Sequence, residues 1–543
     1  MGGEGRAAGD ATSARSPTHV VVIGTGIGGA ASTMLLAHAG VRVTLIEKNR
    51  RLGGSCAGYE KQGFRIDIGT HMFCRGAVGP LGEVLRRVGR DGAIDFRRTR
   101  DIAELRFPSR NATLVGARSV TRIAVPSQPH RMPRFAIELA RALELSPREA
   151  ARVARMFAHI LSMSEADALA WNDRTVEDFL LPFTDHAPTI ALFGFLLGLY
   201  FILPYWEVSA GEAIWSFQRM FRDNALSYPI GGSNAIPSTY CRIAEEHGAE
   251  VKTGVAVQRV VIEGGRVAGV SLSDGSFVAA DVVISTSSVR STVKYLVGEE
   301  HFPEAYVRRA MAIKGSYIAV QAKVALKKRL VDAGCIVGGV GEKIDLFNVR
   351  TGDLRAMFSA VEKGRIPEVV PFYCPVPSNF DPTLAPPGHQ LLTVCAVAPT
   401  SDVALHDPGP AWEEAMLRTL RRVVPGLDEH VLFIDRFSVD FIEKWIGKEF
   451  GPAVSTGQTP GQVGDKRPTV HTPVRGLYLA ECGAGARGVG TELAAASAME
   501  CVDRVLADLG RTLRAPARRS ELSRATSMLA SVAMLPLAWA TRA

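Results

Sequence analysis

A set of glycines and one acid, at fixed spacing near the start of the chain, could hold a dinucleotide. Gly24, Gly26, Gly28 and Gly29 follow the apolar run 20–23, and Glu47 closes the next apolar run, 43–46. Gly24 permits a tight turn, Gly26 lets the backbone approach a pyrophosphate, and Gly29 lets helix and strand pack closely. A helix opening at Ile27 and Gly28 would aim free N–H groups and the positive end of its dipole at the phosphates. Glu47, roughly 20 residues on, would accept hydrogen bonds from an adenosine ribose. Strand, turn, helix and acid together read as a βαβ unit. A glycine-rich turn in an ordinary α/β domain is the alternative.

The residues just beyond the acid decide which dinucleotide. Lys48, Arg51, Gly53, Gly54 and Ser55 come directly after it, then Asp67, Gly69, Thr70 and His71. These residues resemble the flavin-side motifs of the FAD-dependent amine oxidase and phytoene desaturase superfamily, in which the paired glycines and a neighbouring Arg sit at the pyrophosphate. The resemblance implies FAD, held in part by Lys48, Arg51, Gly53, Gly54, Ser55, Gly69, Thr70 and His71. Further on, Tyr228-Pro-Ile-Gly231-Gly232, a helix, a strand and the segment opening at Val257 resemble a phytoene desaturase in that order, which implies that Val257 offers its backbone to the adenine. The Asp67-x-Gly69-x-His71 form is similar to retinol saturase-like members, which reduce a carbon–carbon double bond. As an imidazole, His71 could give or take the second proton when a hydride moves. Packing against the flavin is its plainer role.

The last apolar strand ends Ala480-Glu481-Cys482 and leads through a glycine-rich turn to Gly490, Thr491 and Glu492, which open a long helix. N–H groups at that helix start would face the flavin N1 and C2 carbonyl and favour an anionic reduced ring. Many flavoproteins place Gly-Asp after this strand, whereas carotenoid desaturases tend to lack the Asp. Glu481 is therefore a ribityl contact or a strand-end structural residue. Cys56 and Cys482 fall inside these motifs, and buried small hydrophobes are the expected reading over a covalent flavin link.

The elements that must position these residues come from three separated stretches. The resemblance covers nearly the whole chain and implies an α/β fold: a discontinuous Rossmann-type FAD-binding domain with an interleaved α+β substrate-binding cap. The expected pieces are a leader at 1–17, nucleotide segments at 18–100, 226–300 and 451–510, a helical cap region at 101–225, a second substrate region at 301–450, and a tail at 511–543. Helical stripes recur between about 130 and 225, and strands return from 250.

With 543 residues and 47% hydrophobic composition, the chain is long enough for two or more cores and excludes a disordered protein. A formal charge of +8 is modest at this length, and no nucleic-acid site is expected. Eight cysteines without CxxC or zinc-like spacing indicate neither a metal site nor a disulfide framework, which fits a reducing cytoplasm.

The apolar run 189–203 is short for a bilayer span and reads as a buried helix or as the wall of a hydrophobic tunnel, with Tyr200, Tyr205, Glu207 and Glu212 as the polar groups near it. Arg511, Arg514, Arg518, Arg519 and Arg524 precede a short apolar tail ending near Trp539. That pattern suits peripheral contact with the inner face of a membrane, or docking on the protein or on a second subunit. The expected activity is a FAD-dependent desaturase or saturase acting on a lipophilic polyene or isoprenoid, with His71 as proton partner and the electron donor or acceptor left open. An amine oxidase is one alternative. A prenyl-binding protein of the GDP-dissociation-inhibitor type, without redox chemistry, is another, and it would carry degraded phosphate motifs.

Overall fold

The computed structural model describes residues 18–69, 72–99, 101–108, 120–223, 226–339, 350–437 and 439–513. The leader expected at 1–17, the tail from 514, and Thr70 and His71 lie outside the described residues.

His19–Ile23 is a run of five buried residues, and such a run suits the middle of a parallel sheet covered on both faces. It pairs in parallel with Arg42–Glu47 on one side and Val282–Ser285 on the other. Leu477–Leu479 and Glu250–Thr253 form the outer strands, giving five parallel strands among the described residues. Neighbours in this sheet thus come from chain positions near 20, 45, 250, 283 and 478. The helices Ile27–His38, Ala235–Glu246 and Gly490–Asp508 share one core with it, through Met34, Leu35, Ile243 and Val502 among others. A three-stranded antiparallel sheet, Val257–Glu263, Arg266–Leu272 and Phe277–Ala279, is inserted before Val282.

A second, mixed sheet has seven strands among the described residues, in the order Val431–Phe437, Ile318–Leu326, Gln390–Ala398, Pro371–Pro375, Cys335–Gly339, Asp101–Pro108 and Val120–Pro126. Strand side chains alternate between faces. Val320, Ala322, Leu392, Val394 and Ile336 face a core shared with Trp412 and Met416 of the helix Gly409–Val423. The intervening positions Ala319, Gln321, Val337, Tyr373 and Cys395 face a cavity. Residues 101–126, grouped by sequence with the helical region, open instead with two strands of this sheet, because Ala103, Leu105, Ile123 and Val125 recur at period two and cover the same cavity side.

Helices close the cavity from the other side, among them Pro147–Ser162 with Met156, Phe157 and Ile160, and Val176–Leu180 with Phe179 and Leu180. Met132–Ala142 contributes Met132, Phe135 and Leu139, and Ala210–Asp223 contributes Ala213, Phe217 and Met220, both at helical spacing. The apolar run expected as a helix is the helix Ala187–Phe201. It is both core and wall: Ile190 and Ala191 are buried in packing, while Leu192, Leu196 and Tyr200 line the cavity. No helix among the described residues is long and apolar enough to cross a membrane.

Candidate functional site

Thr25, between the first two motif glycines, ties three motifs together. Its N–H and its hydroxyl both donate to Glu47 Oε2, at 2.9 and 2.7 Å, and its Oγ1 accepts from the N–H of Gly53 at 3.0 Å. Glu47 Oε1 accepts from the N–H of Asn49 at 2.9 Å, so the acid is held rigidly at the end of its strand. The chain returning from the outer strand Glu250–Thr253 meets this end, with Gly254 N–H bonded to Asn49 O and Val255 N–H to Glu47 O. Val257 lies two residues further on, at the start of the antiparallel sheet and paired with Leu272.

Space around the glycines decides whether a dinucleotide fits. A Cβ on Gly28 would stand 1.9 Å from Ala480 O, and one on Gly29 1.9 Å from Gly24 O, so helix and strands touch there. A Cβ on Gly26 would meet no atom within 4 Å. Gly26 caps the helix Ile27–His38, whose first N–H groups have no partners within the helix. The open ground therefore lies at the electropositive helix end, where a pyrophosphate belongs. Gly54 packs against Gly26 Cα on the same side.

The substrate region reaches over this segment. Trp445 Nε1 donates to Gly54 O at 3.3 Å and Lys48 Nζ to Lys444 O at 2.8 Å, both from the helix Val439–Ile446. The Arg51 guanidinium donates to Gly58 O at 3.1 Å.

At the end of the last parallel strand Glu481 is buried. Its Oε2 accepts from Ser455 Oγ at 2.5 Å, and its Oε1 has no partner. Burial pushes this carboxyl above the usual range. An unpaired oxygen beside a flavin-domain strand end is an acceptor suited to a ribityl hydroxyl. The residues present therefore fit FAD at its phosphate, ribose and ribityl parts.

The turn from 483 to 490 is fixed by a residue that its sequence context does not single out. Glu212, fully buried, takes Arg487 Nε at 3.1 Å and the Gly488 N–H at 3.0 Å, while Arg487 also donates to Asn172 Oδ1 at 2.9 Å. Tyr205 is buried with its hydroxyl on Glu177, and Glu207 is half-buried, its carboxyl raised by desolvation and by nearby Glu362.

The cavity, about 550 Å³, opens on Ser55, Gly69, Val489, Gly490, Thr491 and Glu492, and runs from there along the second sheet and the helices that face it. Gly69 sits so tightly on Ser55 that a Cβ would stand 2.6 Å from Ser55 O, and its own O accepts from Gln321 Nε2 at 3.4 Å. Gln321 Oε1 in turn accepts from Lys323 Nζ at 2.9 Å. Lys323 has no exposed surface, its ammonium is pushed down to about 8 by burial, and Asp67 provides part of the opposing charge. Asp67 also accepts from the Ser233 N–H at 2.9 Å and from the Tyr228 hydroxyl. A buried polar chain thus runs from the Asp67 motif to the cavity wall. A Gln and a Lys at alternate positions of the otherwise apolar strand 318–326 were its only signal in the sequence. None of the described cysteines forms a disulfide, and no metal-holding group of His, Cys, Asp or Glu occurs among the described residues.

Flavin containing amine oxidoreductases, as a family, match residues 27–506. A zeta-carotene-forming phytoene desaturase of Myxococcus xanthus is 26% identical over 411 residues, 70% of this chain and 72% of that protein. An all-trans-retinol 13,14-reductase of Rattus norvegicus is 26% identical over 424 residues, 70% of this chain and 65% of that protein. A solved oxidoreductase from Methanosarcina mazei superposes with a TM-score of 0.66 at 20% identity, over 89% of this chain and 99% of that one, a likeness of fold.

Proposed function

The chain belongs to the flavin containing amine oxidoreductase family, and from that premise we propose that this FAD-dependent oxidoreductase forms or reduces a carbon–carbon double bond of a lipophilic polyene or isoprenoid. The observation that carries the proposal is the cavity. Leucine, isoleucine, phenylalanine and methionine dominate its wall, and it ends on the segments assigned to the flavin, Ser55, Gly69 and Gly490 to Glu492. Burying a long hydrocarbon against such a wall is favourable at roughly 25 cal/mol per Å². One relative is named for desaturating phytoene and the other for reducing retinol, so both directions belong to the proposal.

Bound FAD supplies a hydride acceptor or donor at its N5. Gly24, Gly26, Ile27, Gly28 and Gly29 would hold its pyrophosphate together with Arg51, Gly53 and Gly54, and Glu47 would hold the ribose. Glu481 Oε1 would accept from the ribityl chain, and the helix start at Gly490 and Thr491 would lie toward the ring. The apolar wall positions the substrate carbon and excludes water. A protonated amine finds poor company in this cavity, because its wall is dominated by apolar side chains and offers one carboxyl among the described residues.

Product mass tests the reading. A lipophilic polyene incubated with the FAD-loaded protein and an artificial electron acceptor, or with the prereduced protein alone, should lose or gain two hydrogens. Oxidation of a primary amine without polyene conversion would overturn it.

A further inference from the structure

Removing or adding two hydrogens across a carbon–carbon bond moves a hydride and a proton, and the proton needs a place on the cavity wall. Among the described lining residues Glu492 is the only carboxyl group. It stands in the first turn of the helix Gly490–Asp508, next to Thr491, also on the wall. Its Oε1 accepts from the Arg75 N–H at 2.6 Å, which fixes the side chain. Part of its surface stays open although the residue lies deep in the molecule, and that surface faces the cavity.

The groups around it leave it free to titrate. The Arg75 guanidinium is ion-paired with Asp223 on the helix Ala210–Asp223. Glu212, on that same helix, is held by Arg487. Cys74 and Tyr200 lie on the wall beside it. Burial pushes the Cys74 thiol up to about 12, and the Tyr200, Tyr373 and Cys395 groups of the wall are likewise raised by burial, so all four stay neutral. Burial raises the Glu492 carboxyl to about 7, within reach of both protonation states at neutral pH.

We propose that Glu492 is the proton partner of the reaction, a reading that rests on the function proposed above. In the desaturating direction, one substrate C–H bond breaks with its electron pair and leaves as hydride to the bound flavin. The neighbouring C–H bond gives its proton to the Glu492 carboxylate on the cavity wall, and its electron pair becomes the new π bond. The substrate loses two electrons and two hydrogens, the flavin gains the two electrons with one hydrogen, and Glu492 holds the other as a proton. In the saturating direction the same carboxyl delivers that proton to carbon.

Glu492→Gln, Glu492→Asp and His71→Gln, each as full-length FAD-loaded protein, test the assignment. Four properties are measured: FAD affinity, the visible spectrum, the anaerobic rate of flavin bleaching or reoxidation by a polyene against pH, and incorporation of solvent deuterium into the product. Glu492→Gln should keep FAD affinity within about threefold, slow the step by roughly 10²- to 10⁴-fold and lose the pH limb near neutrality. Glu492→Asp should recover part of the rate and the limb, and deuterium incorporation should fall with the rate. An unchanged limb in Glu492→Gln, a limb lost in His71→Gln instead, or loss of FAD from Glu492→Gln would each overturn the role of Glu492. Wild-type protein that reacts with no polyene overturns the functional reading itself, and this one with it, before any variant is compared.

Discussion

Thr25 has a role at the residue scale that motif spacing does not announce. The glycines and Glu47 were legible because each type answers a geometric demand at a fixed distance. Thr25 fills a spacer position, and only the fold brings Glu47 and Gly53 to its hydroxyl. Thr25→Val removes a donor from the buried acid and leaves the Gly53 N–H without its acceptor, which costs about 1–3 kcal/mol for each group left unsatisfied. The expected outcome is a lower urea midpoint at unchanged slope and FAD affinity weakened at least about tenfold in a fluorescence titration. Thr25→Ser, which keeps the hydroxyl, should stay close to wild type. Glu492 was legible as a member of the helix-start motif, but its place as a cavity carboxyl was not, because the wall is assembled from remote segments.

At the scale of elements, the turn 483–490 and the helix Ala210–Asp223 act as one unit through Glu212. The sequence places Glu212 near an apolar helix and says no more, since a charge's partner 275 positions away leaves no local pattern. Glu212→Ala leaves Arg487 unpaired in the interior, and breaking such a pair costs about 3–5 kcal/mol. Thermal unfolding should show that loss, and the purified variant should carry less flavin because the turn leading to Gly490 is released. Strands were more legible: they were expected to return from 250, and the structure has strands at Ile318–Leu326 and Gln390–Ala398. Asp101–Pro108 and Val120–Pro126 were missed as strands because short alternating runs beside a long helical region carry a weak signal.

The protonation of buried carboxyls adds a pH dependence on the same scale. Glu492 is raised from 4.5 to about 7, and Glu481 is raised as well. Between these values the folded protein holds protons that the unfolded chain has released. The stability that the Glu492 proton contributes is therefore full below about pH 4.5 and is lost as pH rises through 7, and the Glu481 proton acts in the same direction. A melting series from pH 5.5 to 8 should show wild type losing stability relative to Glu492→Gln as pH rises, by about 2 kcal/mol at most. A constant difference across that range would contradict the assigned burial.

At the scale of the whole molecule, five parallel strands drawn from distant parts of the chain make the cofactor platform, and the seven-stranded sheet lays a hydrocarbon-lined cavity against it. The order of motifs along the sequence foretold the first. The cavity's outline depends on which face of each strand and helix turns inward, and that emerged only from the fold. Ala213 lies on the wall among larger side chains. Ala213→Phe should shorten the usable cavity, raising KM for long polyenes more than for short ones while leaving the flavin spectrum intact.

The central claim is an oxidoreductase in which FAD meets a lipophilic chain. The direct measurement is the visible spectrum of the purified protein, recorded anaerobically before and after a polyene is added to its oxidised and its reduced forms. The account predicts a flavin spectrum, with flavin released by acid, that a polyene bleaches in the oxidised protein or restores in the reduced one. A colourless protein that takes up no FAD on reconstitution would contradict it.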